Sequence, residues 1–177
     1  MGPARGGARP TTAAAVPVST VSGGTPAFQV FLEENRATVY RFLTVAVGPQ
    51  DADDVFQETF LAALRAYPRV REPDKLDRWV LAIASRKAID HHRGVRRRPL
   101  PTDDPPEPPV HDPAPEDPDD PLWAAVRSLP PRQRVAVVHR HVLDRSYGEI
   151  AELMGCSEQT ARANVYQGKK RLRELMA

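Results

Sequence analysis

Side chains that can bind nucleic acid follow one another at helical spacing near the C-terminus of this 177-residue chain. The guanidinium of Arg162 can donate two parallel hydrogen bonds to a guanine edge, and the nearby lysines can neutralise phosphates. This is recognition chemistry, in which no covalent bond changes. The surface that we expect to carry it comprises Gln159, Thr160, Arg162, Ala163, Asn164, Tyr166, Gln167, Lys169 and Lys170.

Two short helices around a glycine turn are predicted to position this surface. Ser146 and Glu149 have the spacing of a capping box, which satisfies two backbone N–H groups at a helix start. Gly155 suits the left-handed conformation that ends a helix, and Ser157 can cap the next helix. The buried side of the second helix is predicted to be Thr160, Ala161, Val165 and Leu172. The pair is typical of a helix-turn-helix; a solvated helix on an ordinary helical bundle is the alternative.

Charge is segregated along the chain, although the net charge is only +2. Residues 27–98 carry 13 basic and 10 acidic side chains, and residues 124–177 carry 10 basic and five acidic ones. Residues 99–123 carry eight acids and no base. The two basic blocks can neutralise phosphates, whereas the acidic segment between them cannot lie along DNA.

The domain boundaries are predicted from the distribution of proline. Ten prolines in the 23 residues from Pro99 remove amide donors, so we expect residues 99–123 to be a flexible acidic linker. Residues 1–26, rich in Ala, Gly and Pro, are expected to form a disordered extension. With 41% apolar residues, the remaining segments 27–98 and 124–177 are predicted to be two small domains.

The first block is predicted to be all-helical, with a helix from Phe28 to Val47 that ends before Gly48-Pro49. A second helix is expected from about Asp51 to Tyr67. Its apolar side is predicted to hold Val55, Phe56, Phe60, Ala63 and Leu64. The other side is acidic around an exposed leucine and has no evident internal partner: Asp53, Asp54, Gln57, Glu58 and Leu61. Simple stabilisation of the helix dipole by the first acids is the alternative role.

A third helix is predicted from about Lys75 to Arg93, and its apolar packing is expected to stop halfway. The apolar stripe is Leu76, Trp79, Val80 and Ile83, and it continues as Arg86, Lys87 and Asp90. Such a helix leaves the core to contact something else, and the basic run from His91 to Arg98 suits a nucleic-acid backbone and strand opening. A solvated charge run, with Arg86 and Asp90 paired, is the alternative.

No set of residues predicts catalysis. The adjacent His91 and His92 point about 100° apart on a helix and lack a third ligand at sensible spacing. There is no phosphate-binding glycine loop, metalloprotease motif or nucleophile elbow. The single cysteine, Cys156, excludes an internal disulfide, and no apolar run approaches the ~20 residues that span a bilayer. We therefore expect a cytoplasmic protein that is not an enzyme, with no cofactor, metal or small-molecule substrate.

Three segments in this order resemble the bacterial extracytoplasmic-function sigma factors, which are subunits of RNA polymerase for transcription initiation. Residues 51–64 look like the helix that binds the clamp of the largest polymerase subunit. Residues 79–93 look like the segment that melts and reads the −10 element, and residues 129–138 with the helix-turn-helix look like the domain that reads the −35 element. The resemblance covers residues 28–176 and implies an all-α protein with two small helical domains, similar to sigma regions 2 and 4.

The resemblance implies a role for each surface described above. It assigns contact with polymerase to Asp53, Asp54, Gln57, Glu58 and Leu61. It assigns the −10 region to Trp79, Arg86, Lys87, Asp90, His91, Arg93, Arg96 and Arg97. The nine residues of the C-terminal surface are assigned to the −35 region. Ser85-Arg86 departs from the Arg-Asn that many members carry, so an asparagine that can line a base pocket is missing.

The resemblance also implies partners. They are the clamp and flap regions of the polymerase core, promoter DNA, and an anti-sigma factor that covers the polymerase-binding surfaces and is often membrane-bound. It implies that the acidic linker threads through polymerase toward the RNA exit path. The alternative function is a stand-alone helix-turn-helix regulator, which binds duplex DNA without polymerase, usually as a dimer on a palindrome.

Overall fold

The computed structural model describes residues 26–95 and 120–177. The predicted N-terminal extension, most of the predicted linker, and Arg96 and Arg97 therefore lie outside the described residues. All regular structure in the two described ranges is helical, which confirms the predicted all-α class. The α-helices are α1 (Phe28–Val47), α2 (Pro49–Ala66), α3 (Leu76–Val95), α4 (Pro121–Ser128), α5 (Pro131–His141), α6 (Tyr147–Met154) and α7 (Glu158–Leu175).

The first three helices form the first domain, and a single glycine separates α1 from α2. Gly48 has φ 99°, which favours glycine, and its N–H donates to the Thr44 carbonyl at 3.1 Å to end α1. Pro49 then starts α2, where its missing N–H has no partner to lose. The helix therefore begins two residues before the predicted Asp51. Two short 3₁₀ turns, Tyr67–Arg69 and Pro73–Lys75, connect α2 to α3.

An aromatic cluster forms the core of the first domain. The Phe31 ring is fully buried, with its centroid 5.1 Å from that of Tyr67 and 5.8 Å from that of Trp79. Tyr67 also donates its hydroxyl hydrogen to the Pro26 carbonyl at 2.8 Å, which anchors the chain just before α1. Trp79 therefore belongs partly to this core, because its ring packs on α1 and on the turn after α2.

The second domain starts earlier than the sequence predicted. The Asp120 carboxylate accepts a hydrogen bond from the Leu122 N–H at 2.7 Å, and Pro121 occupies the first turn, so α4 begins inside the segment expected to be linker. Trp123 is half-buried against the hydrophobic core. The prediction that no helix persists through residue 123 is therefore wrong for its last three residues.

The helix-turn-helix is confirmed in its caps and corrected at one buried position. Ser146 and Glu149 form both hydrogen bonds of the capping box, and Gly155 adopts φ 60° and ψ 47° after α6. Ser157 caps α7 by accepting from the Thr160 N–H at 3.1 Å. The Thr160 side chain is exposed rather than buried, because its hydroxyl turns back to the Ser157 hydroxyl at 2.8 Å.

Gly168 allows α7 to approach α5 closely. The side of α7 that faces α5 consists of Ala161, Val165 and Gly168, all buried. A Cβ atom at Gly168 would lie 2.6 Å from Cγ2 of Val137 and 3.3 Å from the Gln133 carbonyl oxygen. The contact between the two helices therefore has no room for a side chain at this position.

The two domains pack against each other, with α3 between them. The predicted halfway end of apolar packing on α3 is therefore wrong: the helix stays buried through Leu81, Ala84, Ser85, Ala88 and Ile89. These residues lie on the side of α3 opposite the predicted stripe, and they are covered because α5 and α6 add a second packing partner to α1 and α2. The prediction for Leu64 is also wrong, since its side chain is 49% exposed on α2.

Two polar side chains of α5 are buried in the contact between the domains. His139 lies with Nε2 2.7 Å from the Ser85 Oγ of α3, and its ring stacks on Phe42 of α1 at a centroid distance of 4.6 Å. The Ser85 hydroxyl also donates to the Leu81 carbonyl at 2.7 Å. Because the hydroxyl has one hydrogen, we assign the proton of neutral His139 to Nε2, which donates it to Ser85. Burial, with a smaller contribution from Arg145, lowers the pKa of His139 to about 3.

Arg134 is the second buried polar residue, and its acceptors are carbonyl oxygens and the His92 ring rather than carboxylates. It donates to the Ala46 carbonyl at the end of α1 at 2.8 Å, and to the carbonyls of Arg127 and Leu129 at the end of α4. Carbonyl groups at helix C-termini carry partial negative charge, which compensates the buried cation. Burial, followed by repulsion from Arg127, lowers the pKa of Arg134 to about 10, so its charge persists at neutral pH.

Candidate nucleic-acid interface

The predicted surface on α7 lies opposite the side that packs on α5. Gln159, Arg162, Ala163, Tyr166, Gln167, Lys169 and Lys170 are all exposed. Tyr166 is the most accessible large apolar group among them, with 62% of its surface exposed. The structure therefore brings these seven residues together on one accessible side of a helix. A helix with this distribution can enter a DNA major groove with its polar side facing base edges.

Arg162 is held in place before any ligand binds. Its Nη2 atom lies 2.7 Å from a Glu158 carboxylate oxygen one turn earlier on α7. Its guanidinium carbon also lies 4.5 Å from the centroid of the Tyr147 ring on α6, within the range of a cation–π contact. Binding to a base edge or a phosphate would require Arg162 to exchange Glu158 for the new acceptor.

The side chains of Asn164 and Thr160 make local hydrogen bonds, so their polar groups are only partly available to a ligand. The Asn164 side-chain amide donates to the Thr160 carbonyl at 2.9 Å, and the Thr160 hydroxyl contacts Ser157. Both residues belong to the predicted surface, but part of their hydrogen-bonding capacity is used to stabilise the start of α7. The sequence could indicate their spacing but not these contacts.

The predicted residues of α3 differ in their exposure and in their contacts with α2. Arg86 and Asp90 are exposed. Lys87 Nζ lies 3.1 Å from a Glu58 carboxylate oxygen, and His91 Nε2 lies 3.1 Å from an Asp51 carboxylate oxygen, so both groups contact α2. The Arg93 backbone belongs to α3, and its side chain is outside the described set.

His91 and His92 point toward different helices, as predicted for adjacent helical positions. His92 Nε2 lies 2.6 Å from Nη1 of Arg134 and 3.1 Å from the Ala46 carbonyl oxygen. Since a guanidinium can only donate, His92 accepts this hydrogen bond in its neutral form. Burial is the largest cause that lowers the pKa of His92. Among the described residues, no three His, Cys, Asp or Glu side chains are grouped to hold a metal ion.

The acidic side of α2 is exposed. The sequence indicated no internal partner for it, but some of its residues have one. Asp54, Gln57 and Leu61 are exposed, with 52% of Leu61 accessible. Glu58 contacts Lys87, and Asp53 is half-buried near Tyr40. Burial, followed by the negative charge of Asp53, raises the pKa of the Tyr40 hydroxyl.

The apolar part of this surface is larger than the sequence indicated. Leu64 and Leu61 are three positions apart on α2 and are both about half exposed. The helical spacing predicts that Leu64 is buried. This prediction is wrong because spacing alone does not say how far the neighbouring helices extend. The structure thus places two leucines beside exposed acidic and amide groups.

A cationic pocket that the sequence did not predict lies where the α2–α3 connection meets α6. The cavity has a volume of about 390 Å³, and its lining includes Arg69, Arg71, Lys75, Arg78 and the Trp79 ring. Four cations within ten positions were the available signal, but their convergence depends on the two 3₁₀ turns. Cationic groups beside an aromatic ring suit a single nucleic-acid strand.

The two domains match two sequence families. Residues 31–98 match the family described as Sigma-70 region 2, and residues 119–172 match the family described as Sigma-70, region 4. The fold and these paired matches define a sigma factor of the sigma-70 class. None of the helices in the described parts of the chain is long and apolar enough to cross a membrane.

Two relatives identify the family within the sigma-70 class to which the chain belongs. The chain is 32% identical over 163 residues to the ECF RNA polymerase sigma factor SigC of Mycobacterium tuberculosis, covering 89% of this chain and 88% of SigC. It is 31% identical over 180 residues to SigE of Mycolicibacterium smegmatis, covering 95% and 68% of the two chains. The chain belongs to the extracytoplasmic-function sigma-factor family. It is an alternative sigma factor, which directs promoter recognition and transcription initiation by RNA polymerase.

Solved structures agree with this fold. The sigma factor RpoE, in complex with the anti-sigma factor NepR from Bartonella quintana, aligns with a TM-score of 0.65 at 19% identity over 84% of this chain and 96% of RpoE. CnrH, in complex with the cytosolic domain of CnrY, aligns with a TM-score of 0.56 at 18% identity over 84% and 86% of the two chains. At these identities the likeness concerns the fold alone.

Proposed function

We propose that the two domains of this sigma factor divide promoter recognition and polymerase binding among three surfaces. The outward side of α7 contacts the −35 element, α3 with its basic continuation contacts the −10 region, and the acidic-leucine side of α2 binds the clamp of the polymerase core. The observation that carries this proposal is the exposure of Leu61 and Leu64 beside Asp54 and Gln57, on a helix whose opposite side is packed in the core.

A stand-alone DNA-binding regulator has no need for this surface. Exposed leucines bordered by polar groups are typical of a protein-binding site, in which apolar contact supplies affinity and charge supplies orientation. Lys87 of α3 contacts Glu58 at this surface, whereas the basic side of α7 lies on the second domain, so we assign polymerase binding to α2 and promoter contacts to α3 and α7. The predicted domain ranges 27–98 and 124–177 correspond to these two binding units, with the start of the second moved to Asp120 by the cap of α4.

The remaining roles follow from the same division. On α7 we assign base contacts to Arg162 and Gln167, and phosphate contacts to Lys169 and Lys170. The −10 contacts comprise Arg86, Asp90 and Arg93 of α3 and Arg96 and Arg97 in the sequence after it, together with Trp79, Lys87 and His91 once their internal contacts exchange. The protein supplies specificity and strand opening and carries out no reaction of its own. It acts in the cytoplasm. An anti-sigma factor restrains it by covering the α2 surface, and in some cells this anti-sigma factor lies in the membrane.

Core binding tests the proposal directly. Replacement of Asp54 by Lys and of Leu61 by Ser should weaken binding to purified polymerase core by at least tenfold, since it removes an anchor and reverses a charge at the centre of the site. The matched control is Glu33→Lys, which changes the same charge on an exposed position of α1. Both proteins should keep the circular dichroism spectrum of the parent. Equal core affinity of the double variant and the control would refute the assignment of α2.

A further inference from the structure

The direction in which Arg162 points is set partly from outside the helix that carries it. A free arginine side chain has several rotatable bonds, and fixing them on a ligand costs conformational entropy. In this structure the Arg162 guanidinium contacts both Glu158 of its own helix and Tyr147 of α6. The two contacts differ in whether they can survive DNA binding.

The Glu158 contact is the one that DNA would replace. The Glu158 carboxylate accepts a hydrogen bond from Nη2 of Arg162 at 2.7 Å, and both side chains are more than half exposed. A bidentate contact with a guanine edge uses two parallel N–H groups of the guanidinium, so the carboxylate and the base compete for the same fork of donors. Because an exposed ion pair is weak, exchanging Glu158 for a base costs little.

The Tyr147 contact can persist in the complex. The guanidinium carbon of Arg162 lies 4.5 Å from the centroid of the Tyr147 ring. An aromatic ring attracts a cation through the charge of the cation, and this contact takes up none of the N–H donors. Tyr147 can therefore keep the direction of the guanidinium while Glu158 is exchanged, whereas a second hydrogen-bonding partner would have to be displaced.

The Tyr147 ring is itself held by elements other than α7. The capping box fixes the start of α6, and Tyr147 is the first residue of that helix. The guanidinium carbon of Arg140, on α5, lies 5.4 Å from the centroid of the same ring. Arg140 also donates to the Arg145 carbonyl at 3.1 Å, which fixes it to the turn before α6. The direction of a side chain on α7 thus depends on α5, on α6 and on the turn between them.

We propose that Tyr147 is a positioning residue for the −35 contact: its ring holds the guanidinium of Arg162 in one direction, so that Arg162 exchanges Glu158 for a guanine edge without a search through other rotamers. The proposal rests on the function proposed above, in which α7 reads the −35 element. It adds a residue that determines specificity from the first helix of the helix-turn-helix, which crosses the DNA backbone instead of lying in the groove.

The Tyr147 hydroxyl offers a different way to act on DNA. A tyrosine hydroxyl can donate to a phosphate, and such a contact fixes the position of the protein without reading sequence. The two roles need different parts of the side chain, because the contact with Arg162 needs the ring and a phosphate contact needs the oxygen. Tyr147→Phe therefore keeps the proposed role and removes the other, whereas Tyr147→Leu removes both.

The experiment measures binding of reconstituted holoenzyme to promoters that carry single base-pair substitutions in the −35 element. Arg162→Ala first identifies the base pair that Arg162 reads. Tyr147→Leu should lower discrimination at that base pair by about two- to fivefold, the range for an exposed cation–π contact, and leave the other base pairs unchanged. Tyr147→Phe should keep the discrimination of the parent. In an Arg162→Ala background, Tyr147→Leu should have no further effect at that base pair.

A second measurement, on the full chain, needs no DNA. The NMR signal of the Arg162 Nε–H group is sensitive to the ring current of a nearby aromatic group. This signal should move in Tyr147→Leu and stay close to that of the parent in Tyr147→Phe. Circular dichroism should show the helix content of the parent in both variants, which separates loss of positioning from loss of the fold.

Three results would overturn the proposal. They are parental discrimination in Tyr147→Leu, equal loss of affinity on every promoter, and an effect of Tyr147→Leu that persists at the same base pair in the Arg162→Ala background. Equal losses in Tyr147→Phe and Tyr147→Leu would instead assign Tyr147 to a phosphate. Failure of the proposed function gives another pattern, since Arg162→Ala itself would then leave discrimination unchanged at every base pair.

Discussion

Nε2 of His139 lies 2.7 Å from Oγ of Ser85, although 54 positions separate the two residues in the chain. One residue belongs to the domain that carries the helix-turn-helix, and the other belongs to the helix predicted to read the −10 element. Both are fully buried. A hydrogen bond in this position stabilises the packed arrangement only while both partners are present, because without Ser85 the His139 Nε2–H would be a buried donor with no acceptor.

Ser85→Ala should lower the free energy of unfolding by about 1–3 kcal/mol, since it leaves His139 Nε2 buried without an acceptor. Urea denaturation at pH 7.5 measures the change. Ser128→Ala is the control, because Ser128 is exposed and its hydroxyl bonds only to the Ala125 carbonyl on its own helix. Equal loss in the two variants would mean that the contact between the domains contributes nothing at Ser85.

Acid should weaken the packed state through His139. Its pKa is lowered from 6.5 to about 3, so above pH 6.5 the ring is neutral in packed and unfolded chains and the full stability is present. Below pH 6.5 only the unfolded chain takes up the proton, and stability falls by up to ~1.36 kcal/mol per pH unit until about pH 3. Between pH 7.5 and pH 5.5 we expect a loss of about 1.4 kcal/mol from this residue.

The comparison for this pH dependence is His139→Gln, which keeps an amide donor and does not titrate. Urea denaturation of both proteins at the two pH values should show a smaller loss for His139→Gln. A residual loss of stability is expected in both proteins. Burial also lowers the pKa of His92, so this residue too makes the free energy of unfolding fall as the pH falls. Identical pH dependence of the two proteins would contradict the role of His139.

Gly168→Ala should destabilise the second domain by about 1 kcal/mol despite the higher helix propensity of alanine. The added methyl group would lie 2.6 Å from a Val137 methyl group and 3.3 Å from a backbone oxygen, so α7 must move away from α5. Thermal unfolding followed by circular dichroism measures the effect. Ala163→Gly, at an exposed position of the same helix, is the control for helix propensity alone; an increase in the melting temperature of Gly168→Ala would contradict the close contact.

Arg162→Ala should reduce discrimination at one base pair of the −35 element by roughly 1–3 kcal/mol. The measurement is holoenzyme binding to promoters substituted one base pair at a time. Glu158→Gln should act in the opposite direction, because it frees Arg162 from the 2.7 Å contact on α7. Equal loss of affinity on every promoter would instead assign Arg162 to a phosphate.

Local signals predicted most of the helices correctly. Ser146 and Glu149 determine where α6 begins, and Gly155 and Ser157 determine where α6 ends and α7 begins; each acts on backbone groups within four residues. Gly48 and Pro49 act in the same way between α1 and α2. These interactions can be inferred from spacing because both partners are close in the sequence.

The contact between the domains could not be inferred in this way. The second half of α3, which contains the buried Ser85 and Ala88, was expected to leave the core because the prediction considered one side of the helix, and the helices that cover the other side come more than 40 residues later. Arg134 and His139 contradict the rule that charged and polar residues face water. Their burial depends on acceptors supplied by Ala46 and Ser85, which are identified only when the fold is known.

Arg134 is held by acceptors from both domains. The Arg127 and Leu129 carbonyls belong to its own domain, and the Ala46 carbonyl and the His92 ring belong to the other. Separation of the domains would therefore hydrate one side of the guanidinium while the other side stays anchored to the turn between α4 and α5. The contacts inside the second domain do not depend on the first, so we expect the second domain to keep its fold if the two domains part and to pack again without refolding.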